Sequence, residues 1–555
     1  MKIKKVIALF SLLSLFIVSC SKSDSDIITP PNTGEEPEEP LEDIWNVNRE
    51  GQYALNVVFF KPSDYNLTQD IINNISDMTL YIQQWYQVQM ELNGYGKKTF
   101  GLVTNQFGKV RVHVIEDSNS SSYYFNKETA DPYSTLPELK AKIDNYFNSH
   151  PGYKAGSHTL VLSNEETLIR FVGSGQYAFA RSTDFELSST GKYIESLELM
   201  NTDRLGGIMH ELGHALNLPH NCQRASDLPG VALMSFGNHT YEDGGEEKVF
   251  LTASSTAILD VCEAFNKTTN GVQYYTSSEM KIESFTLQKD VSNKLIHAQG
   301  ILHSDIPATS LYIGHDGAPF GGANNNYDEI TFTVKLMSLS DNKYSFDLNM
   351  PYSDLFNGYK DEYKDNMMLS IYAIAANGIK NTLYQYNYTI DLSTQTPNDD
   401  IIKVFEQFEF NNRSIWEISA NSTSPNAART ATTMLDGDIS SYWHSNYPYN
   451  IATDGPHEIT IDMKAVNTFK GIYLYSNRSG SNFRPKHISV QTSNDGTNYT
   501  EVKEHTIDDI NNAIEVRVDF DSDVTASYFK ILVDAVYMST GTEENLIFNE
   551  IDIIK

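Results

Sequence analysis

The sequence predicts a multidomain chain: an α/β sandwich unit, then an all-β sandwich, then a second, C-terminal β-sandwich. Three observations predict it. The chain has 555 residues, more than one core accommodates. Up to about residue 275, strand-like and helix-like stretches alternate, whereas beyond Thr276 short strands follow one another without long helices. The composition is 40% apolar with 33 Tyr, enough for real cores and weighted toward residues that suit sheets.

In the α/β unit, residues 45–275, the apolar run Tyr53–Phe60 reads as a buried strand. Asn66 to Glu91 places Ile71, Ile75, Met78, Ile82 and Trp85 at helical spacing. Val110–Ile115 alternates as a strand, Ser134–Phe147 reads as a helix, and His158–Ser163 as a further strand. Gln176–Arg181 is a short strand, either internal or an edge that pairs with an extended partner. A helix then runs into a histidine cluster. The middle sandwich, 278–396, carries strands such as Glu329–Lys335 and Met368–Ile374. Thr394–Asp400 reads as a linker, and 401–555 as the last unit, with Asn494-Asp-Gly496 as a turn between strands.

The formal charge is 41 − 72 = −31, which repels phosphate backbones and argues against nucleic-acid binding. Three cysteines, Cys20, Cys222 and Cys262, exclude a disulfide scaffold. Lys2, Lys4 and Lys5 precede an apolar run from Val6 to Val18, too short for an ordinary membrane span. The run ends in Ser19-Cys20 and resembles a bacterial lipoprotein signal. That resemblance implies cleavage after residue 19, acyl chains on Cys20 and anchorage to the outer membrane. Residues 20–44 are acidic and Pro-rich, an extended tether, and look like the surface-export signals of Bacteroides-like bacteria.

The stretch His210-Glu-Leu-Gly-His214 puts two imidazoles one helical turn apart, able to hold one ion. Nitrogen ligands suit zinc, and three protein ligands leave a fourth position for water. Glu211 is placed to serve as the general base on that water. His220, six residues on, would face away on a continued helix. Asn217 tolerates a left-handed helix end and Pro219 stops the helix, which together bring His220 back.

His210-Glu-x-x-His214-x-x-Asn217-x-x-His220 resembles the metzincin zinc peptidases, which carry Gly where Asn217 stands. Val231-Ala-Leu-Met-Ser-Phe-Gly237 looks like the family's tight methionine turn beneath the metal, with Met234 as its methionine. The resemblance implies a metzincin-like peptidase fold, Zn2+ on His210, His214 and His220, and Glu211 as catalytic base. Residues 235–241 would line the pocket past the scissile bond. Some members carry a Tyr two positions after the methionine; here it is Phe236, which can bind neither metal nor oxyanion. With Cys20 as the lipid site, no pro-segment cysteine is expected to block the metal. Cys222 and Cys262 flank the region and are expected to pair in an oxidising compartment.

In the last unit, Leu435-Asp-Gly-Asp438, Tyr442-Trp-His444 and Asn549-Glu-Ile551 resemble the discoidin, or coagulation factor 5/8 type C, fold, a jelly-roll whose bacterial members often bind galactose-type glycans. By that resemblance Trp443 is core, and Asp436, Asp438, Ser441 and Glu550 are candidate oxygen ligands for Ca2+. His444, Tyr447, Tyr449, Arg478 and Asn482 are candidate glycan contacts. Together these features imply a surface-exposed endopeptidase acting on extracellular proteins or glycoproteins. A glycan-binding adhesin lipoprotein with an inactive peptidase-like domain is the alternative, and an envelope maturation protease a third reading. The intact His210, Glu211, His214 and His220 favour the first.

Overall fold

The computed structural model describes residues 44–555 apart from 165, 169, 182–202, 243–244, 318–326, 356–364, 407–409, 440, 477–482, 508–513 and 538–542. The signal segment, Cys20, the tether to residue 43, Arg478 and Asn482 therefore lie outside the described residues. Among the described residues no helix is long and apolar enough to cross a membrane.

The first unit is built on a seven-stranded mixed sheet. Its order is β1 (Asn46–Val47), β3 (Gly101–Thr104), β2 (Ala54–Lys61), β5 (Thr159–Ser163), β7 (Tyr177–Arg181) and β6 (Val172–Ser174), with β4 (Val112–Glu116) also on β2. Side chains alternate across β2. Leu55, Val57 and Phe59 face one core, and Val58 and Phe60 the other. The first core is covered by α1 (Gln69–Leu92), which presents Ile75, Met78, Ile82, Tyr86 and Met90 and starts at the Thr68 cap. The second is covered by α2 (Ser121–Ala130), which sequence patterning missed, and α3 (Leu136–Ser149). With only Ser121, Tyr124 and Glu128 buried, α2 has little apolar stripe to read. The helix α4 (Asp203–Ala215) packs under β6 and β7 in the first core.

The strand expected at 176–181 is internal: β7 pairs in parallel with β5 and antiparallel with β6. β6, outside it, ends the sheet, and β8 (Val231–Ala232) and β9 (Val249–Phe250) form a separate parallel pair.

The middle unit is a sandwich of two five-stranded antiparallel sheets. One runs β14 (Met337–Ser338), β15 (Lys343–Pro351), β11 (Leu295–Ser304), β10 (Met280–Asp290), β19 (Lys403–Glu406). The other runs β13 (Ile330–Lys335), β12 (Ala308–Asp316), β16 (Asn366–Ala375), β17 (Lys380–Asp391), β18 (Thr396–Pro397). Within the stretch read as a linker, Thr396–Pro397 pairs with β17, and Lys403–Glu406, read as the start of the last unit, pairs with β10 and so belongs to this sandwich. Buried Ile401 explains why the chain stays docked there. The sandwich is joined to the first unit through apolar surface, since Tyr312, Tyr372 and Ile374 belong to the first unit's core. The C-terminal unit is an antiparallel β-sandwich around wholly buried Trp443, Phe469 and Phe529. Its two long segments, His457–Tyr475 and Glu515–Val536, pair with each other and break register between Asp462 and Asn467.

A three-histidine candidate metal centre

α4 ends two residues before a left-handed Asn217, φ 70°. The Leu218 N–H donates to the Gly213 carbonyl at 2.9 Å, and the Asn217 N–H to the His214 carbonyl at 2.9 Å. This paired closure turns the chain back. His220 then meets the two helical histidines. Its Nε2 stands 3.2 Å from that of His210 and 2.9 Å from that of His214. Nitrogens bound at about 2.0–2.1 Å to a tetrahedral zinc stand about 3.3 Å apart, so the spacing fits that ion. Among the described residues this is the group of three or more such ligands that converges on one point.

The tautomers are set by the main chain. His210 Nδ1 lies 2.7 Å from the Leu233 carbonyl and His214 Nδ1 2.8 Å from the Leu218 carbonyl. A carbonyl only accepts, so each Nδ1 carries the proton and each Nε2 offers its lone pair. Burial, with the neighbouring histidines, holds His210 down at about 3, and burial also lowers His214. Both rings are therefore neutral, the form a metal needs. Burial pushes the Glu211 carboxyl up to about 7, opposed by a hydrogen bond from the Gly173 backbone.

Two close approaches shape the site. A Cβ on Gly213 would stand 2.5 Å from Met234 Sδ, so the missing side chain lets the thioether lie against α4. A Cβ on Gly173 would collide with His214 Cβ, so β6 lies directly on the helix. Met234 is buried at the start of a tight turn, with Ser235 and Phe236 away from helical angles. Sequence reasoning missed Gly173, which had no motif to mark it, and Tyr327. The Tyr327 ring stacks on His220 at 3.7 Å between centroids and 25° between planes. It lies near-parallel to Phe236 at 5.5 Å and to His210 at 6.2 Å.

The expected Cys222–Cys262 disulfide is not formed, and both cysteines are buried. They pack in different cores. Cys222 belongs to that of the middle sandwich and Cys262 to that of the first unit. Cys262 Sγ lies 3.5 Å from His158 Nε2, and burial pushes its thiol up to about 12.

In the C-terminal unit the predicted oxygen ligands separate into two kinds. Glu550 is fully buried, and burial pushes its carboxyl up to about 7 against the opposing Arg413, 2.6 Å away. Asp436 contacts Glu550 and accepts from Ser441 Oγ at 2.8 Å. Asp552 faces the same guanidinium at 3.7 Å. Asp438 is exposed and gives Asp436 its backbone N–H. Asp436, Glu550 and Asp552 thus outnumber Arg413 in charge, and oxygen donors with residual negative charge fit a hard cation. Of the glycan candidates, Tyr447 is 61% exposed. His444 and Tyr449 are buried, and the Tyr449 face is covered by His457 at 4.0 Å; they support the loop and do not present rings to solvent.

A model of the F5/8 type C domain family matches residues 417–545, so the C-terminal unit is an F5/8 type C domain. The chain is similar to wild-type OgpA from Akkermansia muciniphila, at 27% identity over 64% of this chain and 96% of that one, with a TM-score of 0.52. It matches to the same degree catalytically inactive OgpA in complex with an O-glycopeptide substrate, glycodrosocin, at 27% identity, 64% and 95% coverage and a TM-score of 0.52. The family 32 carbohydrate-binding module of C. perfringens NanJ, in complex with galactose, matches 25% of this chain and 94% of its own, at 22% identity and a TM-score of 0.22.

Proposed function

We propose that this chain is a metzincin-type zinc endopeptidase that cuts O-glycosylated proteins at a bacterial cell surface. The observation that carries the reading is the convergence of three Nε2 atoms at zinc spacing beside the Glu211 carboxyl, two of them on neutral rings whose tautomer the backbone fixes. The likeness to OgpA, whose inactive form holds an O-glycopeptide, and the F5/8 type C domain support the substrate class.

His210, His214 and His220 would hold the ion. Bound zinc supplies an acidified water and polarises the scissile carbonyl. Glu211, raised toward neutrality by burial, takes the proton of the attacking water and passes it to the leaving amine. The Gly173 N–H favours the ionised carboxylate that accepts the proton and that is regenerated after the second transfer. β6, at the end of the sheet and directly over α4, is the strand along which an extended substrate lies. Tyr133, 53% exposed with the Arg170 guanidinium over its ring, would offer a flat surface for a sugar. In the C-terminal domain, Asp436, Ser441 and Glu550 take a structural Ca2+, and exposed Tyr447 contributes to glycan binding. Lipid on Cys20 anchors the enzyme.

The test is digestion of O-glycosylated and deglycosylated forms of the same proteins by wild type and Glu211→Gln, with zinc supplied. Cleavage of the glycosylated form by wild type alone is expected. Equal cutting by both enzymes would remove Glu211 from its role. Equal cutting of both substrates would remove the glycan requirement.

A further inference from the structure

His210 and His214 are held by a helix and by backbone carbonyls; His220 stands beyond the turn, after Asn217 and Pro219. Its ring is met face-on by Tyr327, a residue of the middle sandwich. We propose that Tyr327 is a positioning residue of the metal centre: its flat ring holds His220 in the ligand pose, so that the middle sandwich is a working part of the catalytic unit. The proposal rests on the zinc reading above.

Tyr327 is well fixed for this task. It lies just before β13, and β13 is pinned to the first unit. The Cys222 N–H donates to the Glu329 carbonyl at 2.8 Å, and Cys222 bridges Ile330 in parallel. Ser254 Oγ and Thr331 Oγ1 lie 2.8 Å apart. The Ser235 hydroxyl, one residue past Met234, donates to the Tyr327 carbonyl at 2.7 Å. Within the sandwich, the Tyr372 hydroxyl donates to Glu329 Oε1 at 3.0 Å. The segment is thus clamped on both sides of the unit boundary. Phe236 then backs the tyrosine ring, giving a near-parallel series of Phe236, Tyr327 and His220. Two positions after the methionine, where no hydroxyl stands, Phe236 thus offers the tyrosine an aromatic surface. A ligand ring confined before the ion arrives loses less freedom on binding it. Removing a partner that orients a ligand lowers metal affinity by about 10–100-fold.

The experiment measures zinc affinity by chelator competition, and the visible spectrum of the cobalt-substituted protein, on the full soluble chain. The variants are Tyr327→Phe, Tyr327→Leu and Tyr327→Ala. Retention of the flat ring in Tyr327→Phe is expected to keep affinity and spectrum close to wild type. Tyr327→Leu fills most of the volume without a flat face, and Tyr327→Ala removes both. Each is expected to weaken zinc by about 10–100-fold and to broaden the cobalt bands. Wild-type affinity and spectrum in both Leu and Ala variants would overturn the proposal. So would an equal loss in Tyr327→Phe, which would assign the effect to the hydroxyl. If wild type itself takes up no zinc while folded, the zinc reading fails, and that outcome is distinct from either.

Discussion

The histidine cluster of the first unit and the carboxylate cluster of the F5/8 type C domain are both polar groups gathered in apolar surroundings, and they are kept there by opposite means. His210 and His214 are neutral, and burial itself keeps them so. They need no counter-charge, only an acceptor for the second nitrogen, and the backbone provides it. Glu550 and Asp552 lie in the core as acids, and burial acts against them. They depend on Arg413. The first site is prepared to receive charge, whereas the second already holds charge and must be balanced.

Four perturbations separate the two, beginning with the largest effect. Glu211→Gln keeps the histidine cluster but removes the proton acceptor. kcat/KM is expected to fall by about 10³-fold, with zinc content by metal analysis unchanged and the C-terminal domain's melting unaffected. Arg413→Met strikes the other site alone. It leaves Glu550 and Asp552 buried without their cation, at a cost of about 3–5 kcal/mol. Urea melts of the F5/8 type C transition should show the loss, and added calcium should restore part of it. A peptidase rate that fell in step would mean that the two units are not separable in this sense.

Gly213→Ala tests how tightly the methionine turn is seated. The new Cβ must displace the Met234 thioether, 2.5 Å away, at a cost of about 1–3 kcal/mol in chemical denaturation. Zinc should still bind, because the displaced group is beneath the ligands and not among them. The fourth perturbation is pH. Burial holds His457, in the C-terminal domain, at about 4 in the folded protein. Its unfolded value is about 6.5. Between these values the unfolded chain carries a proton that the folded one refuses. Stability from this group is complete above pH 6.5 and is lost as pH falls toward 4, at about 1.4 kcal/mol per unit. The melting temperature of His457→Phe, although lower at pH 7.5, should decline less across that window; an unchanged slope would show that other groups carry the acid sensitivity.

Much of the histidine cluster was legible in the sequence because its geometry is local. His210 and His214 are a helical turn apart, and Asn217 adopts the left-handed angle its residue type suggested. Met234 could be named because its stretch resembles the methionine turn, and it lies against Gly213. Tyr327 could not be read, because it arrives through the packing of a separate sandwich and no periodicity records such a meeting. The same limit misplaced the cysteines: Cys222 follows His220 closely in the chain yet packs into the neighbouring unit's core. The edge reading of strand 176–181 failed for a related reason. The strand outside it, Val172–Ser174, is too short to show an alternating pattern. In the F5/8 type C domain the motif residues were found, but exposure was not. Tyr447 and Tyr449 are near neighbours of one type, and only the fold shows that one faces solvent and the other lies under His457.

The carbonyls of Leu233 and Leu218 have one further consequence. Every amino acid carries that oxygen, so no ordinary substitution at either position deletes the acceptor that orients His210 or His214. Ligand orientation here is inherited with the path of the chain. Neighbouring side chains are free to diverge for the sake of new substrates while the rings go on pointing at the same place.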